Sequence, residues 1–335
     1  MIDHLMLNNE ELSIYGSSST LSEQMNLLLK QQFETWGLLR QNYKGLETVK
    51  IKNFSFEDFE IKVQFNPSRI TSSAAKVDDA SIKARKSFLH YNNLPPEQKG
   101  IVFNKEYLIL CNPYPIFDEH FTIPVIEQSP QTIIGKYLDF LLLTKEIADR
   151  YVVFYNGPKC GASAPDHMHF QAGNKNFMPI DTEYNSLISK YGKQEFVKED
   201  VKIFSVTNYL RSFIAIESKD IKETEKYFYS VIDVIKEVTK DETEPMLNIL
   251  GYYDNETWIT VIFPREKHRP TYYFEEGEKN ILLSPASVDM GGVCITPLEK
   301  DFNKITEQEI IDIYGQVSLN NEKFSQVCSV INKLN

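Results

Sequence analysis

The sequence predicts an α+β fold in which two related halves share one extended antiparallel sheet flanked by helices. β-rich runs occupy residues 202–217 and 247–263, and residues 107–124 read as strand, Pro-rich turn, strand. Helical patterns occupy residues 21–39, 129–150 and 220–240, and residues 306–334 hold two more helices broken near Asn320 and Asn321. Strand, helix, strand therefore occurs twice in order, as two similar units would require.

Each element has a local signal. The Ser/Thr cluster from Ser17 to Thr20 offers a cap to the first helix. Ser129-Pro130 opens the second, because proline's missing N–H costs nothing at a helix start. Residues 1–60 are expected to form a helical N-terminal extension, residues 61–195 the first half, and residues 196–335 the second half with the C-terminal helices. The junction falls within residues 191–200, with no low-complexity linker.

Composition bounds the function. At 335 residues, 42% hydrophobic and 25% charged, the chain is long enough for two packed units. A net charge of −11 argues against a nucleic-acid surface, so phosphate ligands would be met by a few well-placed cations. No apolar run approaches the roughly 18–20 residues that cross a bilayer. The start, Met1-Ile2-Asp3-His4-Leu5, lacks the basic-then-apolar order of a signal peptide. Cys111, Cys160, Cys294 and Cys328 show no paired spacing, and a reduced, cytoplasmic chain is expected.

The segment with the most chemistry is His167-Met168-His169-Phe170-Gln171. In a strand, successive side chains alternate between faces, so His167, His169 and Gln171 would share one face while Met168 and Phe170 enter a core. Upstream, residues 156–166 read as a loop with two glycines and two prolines, including Asn156, Gly161 and Ser163, whose backbone can approach a phosphate closely. His-x-His on a strand also offers two ligands to a transition metal, with Asp166 or Asp118 to complete the set.

Small-residue loop, Pro, then His-x-His-x-Gln resembles the active-site signature of the histidine-triad superfamily, in its transferase branch. That branch includes galactose-1-phosphate uridylyltransferase, the diadenosine tetraphosphate phosphorylases and the GDP-hexose phosphorylases. The resemblance implies a HIT-like fold and covers roughly residues 64–297. It implies that His169 is the nucleophile toward an α-phosphorus, that His167 holds the neighbouring backbone or the nucleophile's other ring nitrogen, and that Gln171 donates to a non-bridging oxygen. An amide is no general base near neutral pH, so the nucleotidyl-histidine would wait for phosphate or a sugar phosphate rather than water.

Other segments extend the resemblance. Asn112-Pro113-Tyr114-Pro115 and His120-Phe121-Thr122-Ile123-Pro124 are similar to the hairpin that precedes the triad in the superfamily and walls the nucleotide pocket. Gln64-x-Asn66-x-x-Arg69, followed by Lys76, is similar to the nucleotide-contacting segment of the GDP-hexose phosphorylases; Arg69 and Lys76 would pair with a diphosphate. Lys267, His268 and Arg269 end a strand as a basic cluster able to bind outgoing phosphate or sugar phosphate, and a solvated basic turn reads equally well. Ser87 and His90 stand where several relatives carry Cys-x-x-Cys of a structural zinc site. Ser is a poor zinc ligand and one His cannot close a tetrahedral site, so no cofactor is required and a structural metal is doubtful.

The implied function is a nucleotidyltransferase or phosphorylase that cleaves a nucleotide sugar through nucleotidyl-His169. A dinucleoside polyphosphate donor, a non-catalytic nucleotide-binding protein, and a metal enzyme ligated by His167 and His169 are the alternatives.

Overall fold

Ten strands form one wholly antiparallel sheet, and their order explains how a single chain builds two similar halves. The structure is a computed structural model that describes residues 2–334 apart from Lys76, Asn208 and Glu242. Strands β1 (Lys50–Ser55) and β2 (Glu60–Phe65) precede the sheet. The first half contributes β3 (Gly100–Phe103), β4 (Tyr107–Cys111), β5 (His120–Pro124), β6 (Tyr151–Asn156) and β7 (His169–Asn174). The second contributes β8 (Gly192–Lys198), β9 (Val201–Val206), β10 (Phe213–Ser218), β11 (Leu247–Asp254) and β12 (Thr257–Pro264).

The spatial order is β3-β4-β5-β7-β6-β11-β12-β10-β9-β8. Read inward from either edge, three sequential strands are followed by the second and then the first strand of a hairpin. Helix Tyr137–Glu146 links β5 to β6, and helix Ile221–Thr239 links β10 to β11, at equivalent places. The halves meet where β6 pairs with β11, Asn156 opposite Asn248 and Val153 opposite Gly251. A second, three-stranded sheet joins the termini: β1, β2 and β13 (Val293–Thr296), with Gln64 in parallel register beside Ile295.

The large sheet is covered on both faces. Phe170, Ala172, Tyr151 and Val153 pack with helices Leu21–Thr35, Tyr137–Glu146, Ile221–Thr239 and Asn321–Ile331. Val152, Phe154, Leu250 and Val261 pack with helices Pro179–Tyr191 and Glu307–Val317 and with the small sheet. Alternation along β7 therefore assigns His169 and Gln171 to the second face, beside Phe154.

One asymmetry between the halves positions the site. β11 and β12 are joined by a tight turn with Asn255 and Glu256 both at positive φ, 47° and 61°, the geometry that matches strand twist in two-residue hairpins. The matching hairpin of the first half, β6 to β7, instead carries the loop 157–168. Where β7 starts with His169, β12 starts with Thr257.

Several expected elements change length. The helix expected over residues 21–39 begins as anticipated after Thr20, whose side chain accepts from Glu23 N–H in a capping box. It ends at Thr35; Trp36 is extended, buried, and followed by a second helix, Gly37–Gly45. The helix expected over residues 129–150 is confined to Tyr137–Glu146. Residues 130–136 stay non-helical because Gln131 is drawn to the β6–β7 ends and Glu244 accepts from Thr132 Oγ1 and Ile133 N–H. Asp220 and Asn320 cap the helices that follow them. The expected junction contains β8, paired with β9. Among the described residues no helix is long and apolar enough to cross a membrane, and the four cysteines are buried and unpaired.

Gly251 lets helix Tyr137–Glu146 lie directly on the sheet centre: a Cβ there would stand 2.5 Å from Phe140 Cε1 and 2.8 Å from Thr144 Oγ1. Gly251→Ala is therefore expected to cost about 1–3 kcal/mol by overpacking. Urea unfolding would check it; an unchanged midpoint would mean that the helix shifts freely.

Candidate active site

At the loop end of β6 and β7, a cavity of about 470 Å³ opens on the second face of the sheet. His169, Gln171 and Asn156 line it from the strands, Gly161 to Ser163 from the loop, and His268, Arg269, Ser284 and Asp289 from the second half. Residues between Arg69 and Pro95 pass over it, and the helix break leaves Trp36 and Leu38 at its wall.

His169 is nearly fully buried. Its Nδ1 lies 2.8 Å from the carbonyl of His167. A carbonyl only accepts, so Nδ1 carries the proton and Nε2 keeps its lone pair. Burial pushes its pKa down to about 4, which leaves the ring neutral at pH 7. The main chain is held as firmly: Gln131 Oε1 accepts from His169 N–H at 2.8 Å, and Gln131 Nε2 donates to the carbonyls of Asn156 (2.9 Å) and His169 (3.1 Å).

His120 does not line the cavity, contrary to the expectation that it contacts substrate; it is fully buried behind Gln171. Its Nδ1 accepts from Ile116 N–H at 3.2 Å, which puts the ring proton on Nε2, 3.1 Å from Gln171 Oε1. Burial, aided by the Arg69 charge, lowers its pKa to about 3 and keeps this tautomer neutral. The Gln171 amide is thereby oriented, oxygen inward, with its NH₂ left for the cavity.

Asn156 is oriented in the same way. Its Oδ1 accepts from Asn248 Nδ2 (2.9 Å), Ser287 N–H (2.7 Å) and Ser287 Oγ (2.7 Å), so Nδ2 is the group that remains for a ligand. Gly161 has φ +91°, and a Cβ there would stand 2.9 Å from Ala286 Cα. Only glycine lets this loop close against residues 285–286. Ser163 lines the cavity, and its carbonyl accepts from Arg85 Nη2 at 3.1 Å; the same nitrogen pairs with Asp166 at 2.8 Å.

The cationic candidates divide. Arg69 lines the cavity, its Nη1 donating to Tyr114 O at 2.6 Å while its buried Nε has no partner among the described residues. Arg269 also lines it, stacked 4.0 Å from the Tyr273 ring centroid with Nε 3.1 Å from Ser284 Oγ. His268 lines it as a neutral ring, its pKa lowered to about 4 by burial and then by Arg269 and Arg265. Lys267 is exposed and outside the lining, so the expected basic trio reduces to two. Lys76 lies outside the described residues.

Gln64 and Asn66 do not reach the cavity, in contrast to their expected role as substrate contacts. Gln64 is buried with Oε1 unpartnered among the described residues, and Asn66 Nδ2 donates to Pro115 O at 3.0 Å. Asn112 lines the cavity through an Asx turn, accepting from Tyr114 N–H at 2.9 Å and donating to Thr122 Oγ1 at 3.0 Å.

His167 lies behind the cavity rather than in its lining, and the strand begins only at His169. Its Nε2 is 2.7 Å from Val125 O and its Nδ1 is 3.0 Å from Ser87 Oγ. His90 stands near, ring centroids 6.4 Å apart, but its Nδ1 accepts from Asn92 N–H at 3.2 Å. With His167 spent on both nitrogens and Ser87 on a hydroxyl bond, these residues do not fit a structural zinc. Among the described residues no group of three His, Cys, Asp or Glu could hold a metal ion. Asp118 lines a different pocket, and Asp166 is paired with Arg85.

Sequence reasoning missed Gln131, Asn248, Ser287, Arg265 and Asp289. Buried Arg265 donates to Asn248 Oδ1, to Pro285 O at 2.9 Å and to Val317 O at 3.0 Å, binding the end of β12 to the cavity rim. Asp289 accepts from the N–H groups of Ala286 and Ile295, at 2.9 and 3.0 Å.

Residues 28–174 match the family described as Domain of unknown function (DUF4922), and residues 188–334 match GDPGP1-like, C-terminal domain. No curated protein matches the chain. Among solved structures, yeast Ap4A phosphorylase Apa2 aligns over 87% of this chain and 94% of its own, at 16% identity and TM-score 0.57. Its complexes with AMP and with Ap4A each align over 88% of this chain and 97% of their own, at 16% identity and TM-score 0.54. The fold is thus the HIT-like α+β fold of that phosphorylase, carried by a chain whose C-terminal part matches the GDPGP1-like domain.

Proposed function

We propose that the chain is a nucleotidyltransferase that cleaves a nucleotide sugar through a covalent nucleotidyl-His169 and passes the nucleotidyl group to phosphate or a sugar phosphate. The observation that carries this reading is the His169 Nδ1–H bond to the His167 carbonyl, which leaves a neutral Nε2 lone pair at a cavity of nucleotide size. Nε2 attacks the α-phosphorus; the P–N bond forms as the P–O bond to the sugar phosphate breaks. The positive charge that develops on the ring is met by the carbonyl at Nδ1. In the second step an acceptor oxygen attacks phosphorus, the P–N bond breaks, and the neutral ring returns; inorganic phosphate yields a nucleoside diphosphate.

Gln171 and Asn156 each present an amide NH₂ to the non-bridging oxygens, preorganised by His120 and by the Asn248–Ser287 pair. Arg69 and Arg269 supply the charge a diphosphate needs. Trp36, Leu38, Phe88, Leu94 and Pro95 form an apolar wall suited to a base. A second donor class, a dinucleoside polyphosphate, is favoured by the likeness to yeast Ap4A phosphorylase; the His169 chemistry is the same and only the leaving group changes.

His169→Ala is expected to abolish turnover while nucleotide binding survives. With substrate but no acceptor, intact-protein mass spectrometry at neutral pH should find one mononucleotide on the wild type and none on the variant. Acceptor-dependent turnover without any adduct would mean direct transfer instead.

Gln171→Glu keeps an acceptor for His120 but removes the NH₂ donor. Transfer should slow by the equivalent of about 2.7–4 kcal/mol, read as single-turnover rates; a rate within a factor of three of wild type would remove Gln171 from the phosphate contact.

pH separates catalysis from stability here. His169 and His120 have folded pKa values of about 4 and 3, below the 6.5 of an unfolded histidine. The unfolded chain binds more protons between those values, so stability falls as pH drops from 6.5 toward 4. Each ring should cost about 2 kcal/mol between pH 7.5 and 5, measurable by urea unfolding at the two pH values. Adduct formation, which needs only neutral His169, should hold its rate over the same range; an inflection near 6.5 would show a solvated nucleophile.

A further inference from the structure

Behind His169 lies a hydrogen-bonded relay through His167 and Ser87, neither of which lines the cavity. Val125 O accepts from His167 at 2.7 Å, which fixes the ring proton on Nε2. Nδ1 is then an acceptor, and the Ser87 hydroxyl, 3.0 Å away, must donate to it. The carbonyl of the same residue accepts from His169 Nδ1–H at 2.8 Å. Residue 167 is thus held at its ring by Ser87 and Val125 and aims its main chain at the nucleophile. Ser87 is itself fixed: its carbonyl accepts from Asn93 Nδ2 at 2.8 Å and from His90 N–H at 3.3 Å. Two residues before it, Arg85 ties the same segment to Asp166 and to Ser163 O.

We propose that Ser87 is a positioning residue that does by hydrogen bonding what a structural metal would do by ligation. It holds His167 in the Nε2–H form, and so holds the carbonyl that sets the tautomer of His169. A metal at His167 would need one of its ring lone pairs; Nδ1 gives its own to the Ser87 hydroxyl, and Nε2 carries the proton given to Val125. The catalytic consequence rests on the nucleotidyl-His169 reading; the geometric assignment does not.

The test uses the full chain with ¹⁵N-labelled histidine, because two-bond ¹⁵N–¹H spectra report which ring nitrogen carries the proton without any turnover. The wild type should show His167 as Nε2–H and His169 as Nδ1–H. In Ser87→Ala the His167 Nδ1 resonance should move toward that of an unbonded imidazole nitrogen, and His169 should become a mixture of tautomers. Adduct formation should slow by about 10- to 100-fold at unchanged half-saturating substrate, and Ser87→Thr, which keeps the hydroxyl, should restore both the spectrum and the rate. An unchanged His169 spectrum in Ser87→Ala would overturn the assignment. So would stoichiometric zinc, added to chelator-treated wild type, that moves the His167 Nδ1 resonance to that of a metal-bound nitrogen. A wild type with these tautomers but no adduct would instead count against nucleotidyl transfer alone.

Discussion

One hydrogen bond, from Nδ1–H of His169 to the carbonyl of His167, decides what this cavity can do. An imidazole has two chemically distinct nitrogens, and a buried neutral ring is a nucleophile only at the one without a proton. Using the main chain two residues back to hold the proton makes the choice a property of the backbone. That explains how much of the surroundings serves backbone rather than ligand. Gln131 bonds the N–H and C=O of His169 and the carbonyl of Asn156, and His167 bonds the carbonyl of Val125. Buried amides with every partner satisfied are costly to misplace, so the relay is also what makes the strand end rigid.

The doubled strand order gives a physical reason for a single site. Both halves end in a central hairpin, and β6 and β11 pair antiparallel, so the hairpin connections emerge at opposite ends of the sheet. One connection is the loop 157–168, part of which lines the cavity; the other is a tight turn through Asn255 and Glu256. The second half nevertheless builds the first half's cavity. Asn248 at the start of β11 and Arg265 beyond β12 come to the loop end by antiparallel pairing, and the segment 284–289 is held there by hydrogen bonds from Arg265 to Pro285 O and from Ser287 N–H to Asn156.

What the sequence disclosed followed from short-range order. Period-two alternation placed His169 and Gln171 on one face, and the Ser/Thr cluster ending at Thr20 marked a helix start that the structure shows. What it withheld depends on pairing across long separations. The segment around His120 resembles a pocket-wall hairpin, yet the register of β5 with β7 sets His120 under Gln171. Gln131 sits where helical periodicity was continuous, and only the distant ends of β6 and β7 pull it out of a helix. Asn248 and Ser287 carry no local signal; their role comes from three donors meeting one oxygen of Asn156. Gln64 and Asn66 preserve a motif-like spacing but spend it on the small sheet and on Pro115.

Charge completes the account. The chain carries −11 overall, and the cavity is lined by two guanidiniums, Arg69 and Arg269, rather than by a broad basic surface. Burial holds His120, His169 and His268 neutral, with Arg69 and Arg269 adding repulsion at His120 and His268. Protonation would remove the Nε2 lone pair of His169, and the same desolvation that makes the site costly to build keeps that lone pair free. Arg69 is left with a buried Nε that lacks a partner among the described residues. A phosphate oxygen near it would supply the missing acceptor and the counter-charge together, so ligand binding should stabilise the fold most where the free protein is least satisfied.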